Sequence, residues 1–277
     1  MHGDPFADFG QCNSWLVAPD PCVVVTLPGG VELVADPGQP GAEYTLSGWS
    51  GWDEGPEPSG GAVPWGTADG GVEGDVVFQG RNLAFNGLIS GRSPQHYWEL
   101  RQELGAVLTR ARWGDLQVDE EHLGLSRQVR VARGGKPTFG DPLSDRVGAY
   151  QIQFQSATHL ITDVEQQSAT ITTSGVTLSN KGNADAYPVV SLVGPLTNPA
   201  IVWPGGLWQY NLSVPAGTTL TVEMDRKRVR NLATTEHSRN NVSGSHNWLA
   251  LPPGDTVVTR TGAGSGTITA KWRSAWY

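Results

Sequence analysis

The chain has 277 residues, among them 36 glycines, 19 prolines and 11 tryptophans, a composition that fits many strands joined by tight turns and argues against a helical bundle. The formal charge of -8 is lopsided: residues 1–160 hold 20 of the 27 acidic and 10 of the 19 basic side chains. That excludes a basic groove for nucleic acid in the first half.

The N-terminus, MHGDPFADFG, has no basic region followed by an apolar run, and no stretch is long enough to cross a bilayer. The expectation is a signal-free chain made in the cytoplasm, with no membrane insertion. Cys12 and Cys22 are the only cysteines. They form either one disulfide or two small buried side chains, and alone they cannot build a four-ligand zinc site. Trp15 to Val17 and Cys22 to Leu27 read as short strands, and Val31 to Val34 as a return arm after the Pro28-Gly29-Gly30 turn.

From about residue 36 to 71 the periodicity is lost, and Gly, Pro, Trp, Asp and Glu dominate. The stretch reads as a long loop with no interior strand or helix. Its tryptophans, Trp49, Trp52 and Trp65, pack either against their own loop or against a neighbour. Val76 to Phe78 and Leu83 to Leu88 then read as the arms of a hairpin turning at Arg81-Asn82.

Ser93-Pro94 opens a helix over about 93–109, with Tyr97, Leu100, Leu104 and Val107 as one apolar stripe. Gly114 to Val118 and Arg127 to Ala132 follow as strands. The arginines of the second, Arg127 and Arg130, with Arg133 just beyond it, suggest an edge or a wet face. Gly134 to Ser144 reads as a turn-rich loop. Tyr150, Ile152 and Phe154 alternate with Gln151, Gln153 and Gln155, the sharpest strand signal of the first half. One side of that strand faces a core; the other is polar but uncharged.

Past Thr158 to Ile161, a crossing segment, the pattern becomes short strand, tight turn, short strand. The candidates are Ala169 to Thr172, Val176 to Leu178, Tyr187 to Val193, Ile201 to Trp203, Leu207 to Val214, Thr218 to Met224, Arg228 to Leu232, Thr256 to Thr259 and Thr267 to Trp272. That spacing is a β-sandwich's. Two domains result, 1–162 and 163–277. Asn180, Gly182 and Asn183 mark a tight polar turn.

The chemistry that composition could hide is not patterned. The six histidines are scattered, and no H-E-x-x-H, G-x-S-x-G, P-loop or Rossmann glycine pattern occurs. Glu236-His237 with His246 reads better as a polar loop than as a metal site. The expectation is a protein without catalysis or cofactor. Asp225 to Arg230 is the one basic cluster, with Arg226, Arg228 and Arg230 either a hydrated hairpin rim or a contact for an acidic partner. Trp203, Trp208, Trp248, Trp272 and Trp276 are candidates to stack on a sugar, Trp208 and Trp272 equally for the core.

The order of strands, one amphipathic helix, more strands and a crossing into a sandwich carries further marks. These are NKGNADAYPVV (Asn180 to Val190), the G-x-x-x-N-P turn at Gly194 to Pro199, MDRKRV (Met224 to Val229) and WLALPPGD (Trp248 to Asp255). Over about residues 75–277 this resembles the distal tail proteins of long-tailed, non-contractile bacteriophages, especially the minor tail proteins of phages of actinobacteria. The resemblance implies a mainly β protein. Its N-terminal domain would be tail-tube-like and form a homohexameric ring. Its C-terminal sandwich would be galectin-like or carbohydrate-module-like and point outwards. The implied role is structural, at the tail tip of the virion, with the tail tube protein, the tape measure protein and the hub or receptor-binding proteins as partners. DNA would pass the ring unbound. The implied alternative is a carbohydrate-binding module for host cell-wall glycan.

Overall fold

Val23, Val25 and Leu27 are buried while Val24 and Thr26 are half-exposed, the period of two that a strand with one covered face requires. The same alternation recurs in most of the other strands. The computed structural model describes residues 23–35, 42–61, 63–64, 71–72, 76–109, 113–231, 236–237, 242–243 and 247–277. The expected strand Trp15 to Val17, both cysteines, Trp65 and His246 lie outside them. The chain divides between Ile161 and Thr162 into two compact units, with Tyr277 belonging to the first.

The first unit holds β1 (Val23–Thr26), β2 (Glu32–Val34), β3 (Tyr44–Ser50), β4 (Pro58–Gly60), β5 (Val63–Pro64), β6 (Gly71–Val72), β7 (Val76–Phe78), β8 (Asn82–Ser90), α1 (Pro94–Ala106), β9 (Gly114–Glu120), β10 (Leu125–Arg133), β11 (Thr138–Pro142) and β12 (Val147–Ser156). The strand order is β11-β12-β8-β3-β2-β1-β9-β10, and β10 also pairs with β12. That last pairing, Val131 with Ser156 through Arg133 with Phe154, closes a seven-stranded barrel. Val25, Leu33, Leu46, Phe85, Leu116, Val118, Val131, Ile152 and Phe154 are among its buried side chains. The helix begins as its sequence specifies: Ser93 Oγ accepts the His96 N–H at 3.1 Å and Pro94 follows the cap. Tyr97, Leu100 and Leu104 are its buried stripe. Tyr44 fastens it to β3, its hydroxyl 2.8 Å from both Leu100 O and Glu103 Oε2.

Four readings of this half are corrected. The stretch 36–71 does contain an interior strand, β3. A register shift between Leu46 and Gly48 puts Gly48 and Trp49 both in the buried class, and such a bulge breaks the period that reveals a strand. Val76–Phe78 pairs with Pro58–Gly60, not with β8, so Arg81-Asn82 is not a hairpin turn. Gly134 to Ser144 contains β11. It is an outer strand bonded on one side, which tolerates Gly140 and Pro142. Finally, of the two alternatives for β10 the edge is the wrong one: it is bonded to β9 and β12; one face is wet, with Arg130 exposed and Gln128 half-exposed, while Arg127 is buried against Glu120.

The second unit holds most of β13 (Ile161–Asp163), then β14 (Gln167–Thr170), β15 (Val176–Asn180), β16 (Val189–Val193), β17 (Thr197–Trp203), β18 (Gly206–Tyr210), β19 (Thr219–Glu223), β20 (Arg228–Asn231), β21 (Glu236–His237), β22 (Val242–Ser243), β23 (Gly254–Ala263), β24 (Thr267–Trp272) and β25 (Ala275–Trp276). Two antiparallel sheets, β14-β24-β16-β19-β20-β21 and β15-β23-β17-β18-β22, form a sandwich. Leu178, Val190, Leu192, Leu220, Val222, Val258 and Ile268 are among its buried side chains. The strand from Tyr187 starts only at Val189, because Pro188 offers no ladder donor. The polar turn after β15 is pinned by buried Asn180. Its Nδ2 donates to Ala184 O at 2.7 Å and Leu251 O at 2.8 Å, and its Oδ1 accepts from the Gly182 and Ala275 N–H groups. The amide is therefore fully used. A Cβ on Gly182 would lie 1.7 Å from Ala275 O, so only glycine fits there.

Candidate assembly surfaces

The loop after β3 turns back through Gly51, whose φ of +80° and whose hydrogen in place of a Cβ are both required. A Cβ there would stand 1.9 Å from Asn82 O. The turn delivers Trp52 to a fully buried position, and Trp49 is 4 % exposed, its Nε1 donating to Asp53 Oδ2 at 2.9 Å. Of the loop tryptophans, Trp49 and Trp52 therefore take the first of their two alternatives and pack within their own chain.

Buried Arg81 holds this loop. Its Nη1 donates to the carbonyls of Gly51 at 3.0 Å, Trp52 at 3.2 Å and Glu54, and its Nε donates to His159 O at 2.9 Å. Its own N–H donates to Ser156 Oγ at 2.7 Å. One guanidinium thus ties three elements, a use its rigid fork suits. Burial lowers its pKa from the ordinary value; Glu54 opposes that shift and Arg127 adds to it. Arg127 stands over the Trp52 ring at 5.5 Å and donates through Nε and Nη2 to Glu120 Oε2. Nothing in the sequence distinguished Arg81, which sits where turn residues were expected.

The His159 ring stacks on Tyr277 at 6.0 Å and 17°, and Phe78 packs on both. Burial, and then the charge of Arg81, lowers the His159 pKa from its ordinary 6.5. The unfolded chain therefore binds this proton more readily than the folded one. Stability contributed by neutral His159 is present above the ordinary value and lost as pH falls through the lowered one. The urea midpoint is expected to fall between about pH 7 and pH 5, and less steeply in His159→Gln. Identical slopes in the two proteins would contradict this.

Strand β4 pairs with β7 and β5 with β6, and among the described residues neither pair is bonded to a further strand. Strand β7 carries Val77 and Phe78, 58 % and 44 % exposed.

In the second unit the basic run edges the β19–β20 hairpin. Glu223 lies 3.9 Å from Arg226 and 3.8 Å from Arg230, Arg226 is also 3.8 Å from Asp225, and Arg228 is opposite Glu223 in register. The cluster brings its own carboxylates, and exposed pairs of this kind add about 0–1 kcal/mol of stability each. Trp203, Trp208 and Trp272 are buried, so none offers a ring face to a sugar. Trp248 is half-buried, 6.2 Å from Trp208, and Trp276 is half-buried in β25. Tyr187, not singled out from sequence, is 43 % exposed. Among the described residues no three His, Cys, Asp or Glu side chains gather to hold a metal, and no helix is long and apolar enough to cross a membrane.

No family model and no curated protein matches the chain. Solved structures do. The crystal structure of the Dit protein (gp 19.1) of phage SPP1 superposes with a TM-score of 0.65 at 14 % identity, over 92 % of this chain and 99 % of that one. The chain has the fold of a phage Dit protein. A match of that breadth takes in both units, barrel and sandwich together. Chains of the phage P2 baseplate in its activated conformation, with calcium and with strontium, match at TM-scores of 0.43 and 0.44. Their identities are 9 % and 10 %, over 90 % of this chain and 96 % and 97 % of those chains. The distal-tail resemblance drawn from the sequence thus meets a Dit fold.

Proposed function

We infer that this chain is a distal tail protein: a structural part of a phage tail tip that links the tail tube to the tip complex. The observation that carries the reading is the likeness to SPP1 Dit over nearly the whole of both chains, that protein being described as a paradigm of the hub adsorption apparatus in phages infecting Gram-positive bacteria. On this reading the barrel unit closes a homohexameric ring, tube-like in fold, and DNA crosses it unbound. The sandwich faces outwards as a galectin-like or carbohydrate-module-like domain. Neighbours are the tube protein, the tape measure protein and the receptor-binding hub, and an acidic neighbour at Arg226, Arg228 and Arg230 would compete with the cluster's own Glu223 and Asp225. The acidic bias of residues 1–160 suits a part that must not hold DNA. No catalytic step is assigned.

The decisive experiment is a reconstruction of the tail tip from intact particles. Six copies between tube and hub are expected. A single copy, or absence from purified particles, refutes the reading.

A further inference from the structure

The outward side chains of β3, β8 and β12 form one face without a charge. In cross-strand register, Asn82 faces Gln155, Ala84 faces Gln153 and Asn86 faces Gln151, and on the other side of β8 Ser50 faces Ala84 and Thr45 faces Leu88. Asn82, Gln153 and Gln155 are exposed. A shallow groove of about 400 Å3 runs between the rows, with Gly134 at its rim.

We propose that this amide face is a contact between copies of the chain. The proposal rests on the ring reading above and names the surface that ring would use. Charge selects the occupant. Residues 1–160 hold twice as many acidic as basic side chains, so two copies repel wherever carboxylates meet. A face of glutamine, asparagine, serine and threonine escapes that repulsion. Each amide is both donor and acceptor, so the face is chemically matched to a second amide-bearing surface.

Full-length chain carrying Gln153→Glu and Gln155→Glu tests this, supplied in trans to a phage lacking its own copy. Both positions are exposed, so the melting temperature should stay at the wild-type value. Incorporation into tails should fall at least about tenfold. Gln102→Glu, on the exposed side of α1, should incorporate normally. Wild-type incorporation of the double variant overturns the proposal. So does a wild-type reconstruction in which a ring is present but this face meets solvent, a glycan or a different protein. A reconstruction with no ring at all overturns the ring reading, and this proposal with it.

Discussion

Arg81→Ala is expected to remove about 3–5 kcal/mol from the first unit, a large share of the stability of an ordinary domain. The loss has two parts. Four carbonyl oxygens, those of Gly51, Trp52, Glu54 and His159, lose a charged donor at once, and buried acceptors left alone are costly. The loop that seats Trp52 also loses its tether. Arg81→Lys should recover only part of the loss, since one ammonium cannot present the fork that reaches the loop and His159 together. Urea unfolding followed by tryptophan emission reads both variants. An alanine variant within about 1 kcal/mol of wild type would show that the carbonyls find water without strain.

Two deletions in the same region should separate folding from assembly. Removing Gly48 to Gly66 takes away the buried Trp49 and Trp52 and the end of β3. That protein should fail to fold, with losses beyond about 5 kcal/mol. Replacing residues 61–75 by Asn-Gly, which favours a two-residue hairpin turn, leaves β4 paired with β7 and the barrel intact. Its stability should lie within about 1 kcal/mol of wild type, because β5 and β6 pair with each other and, among the described residues, with no strand of the barrel, while incorporation into tails should drop at least about tenfold if the segment contacts a neighbour. Normal tails from the shortened protein would remove the segment from assembly. A misfolded shortened protein would place it in the fold.

The helix could be read from the sequence because cap, proline and apolar stripe all lie within fifteen consecutive positions, Ser93 to Val107. Strand β12 announced itself by strict alternation, including the uncharged side on which the amide face is built. Strand β3 did not, because its bulge and its glycine cancel the period just where Trp49 turns inward. Pairing partners were less legible still. Val76 to Phe78 reads equally well with any nearby strand, and only the tertiary structure assigns it to Pro58–Gly60. Tryptophan counts say that large rings must be covered, not by what. Hence Trp49 and Trp52, readable either as packed in their own chain or as contacts for a neighbour, are core, while Arg81, a residue type usually found in water, is buried and ties the loop.

Barrel closure has a consequence for synthesis. Val23 pairs with Glu120, and the closing contact of β10 with β12 needs Ser156. At about 5–20 residues per second on the ribosome, β1 waits roughly 5–20 s for the strand that covers its open side. Through that interval the nascent chain carries unpaired strand edges, and pairings so distant in sequence are slow to form. In a crowded host making many copies at once, neighbouring nascent chains are the nearest wrong partners. On the distal-tail reading, the rate at which the chain becomes available for assembly is then set by how often the barrel closes on itself before it meets another chain.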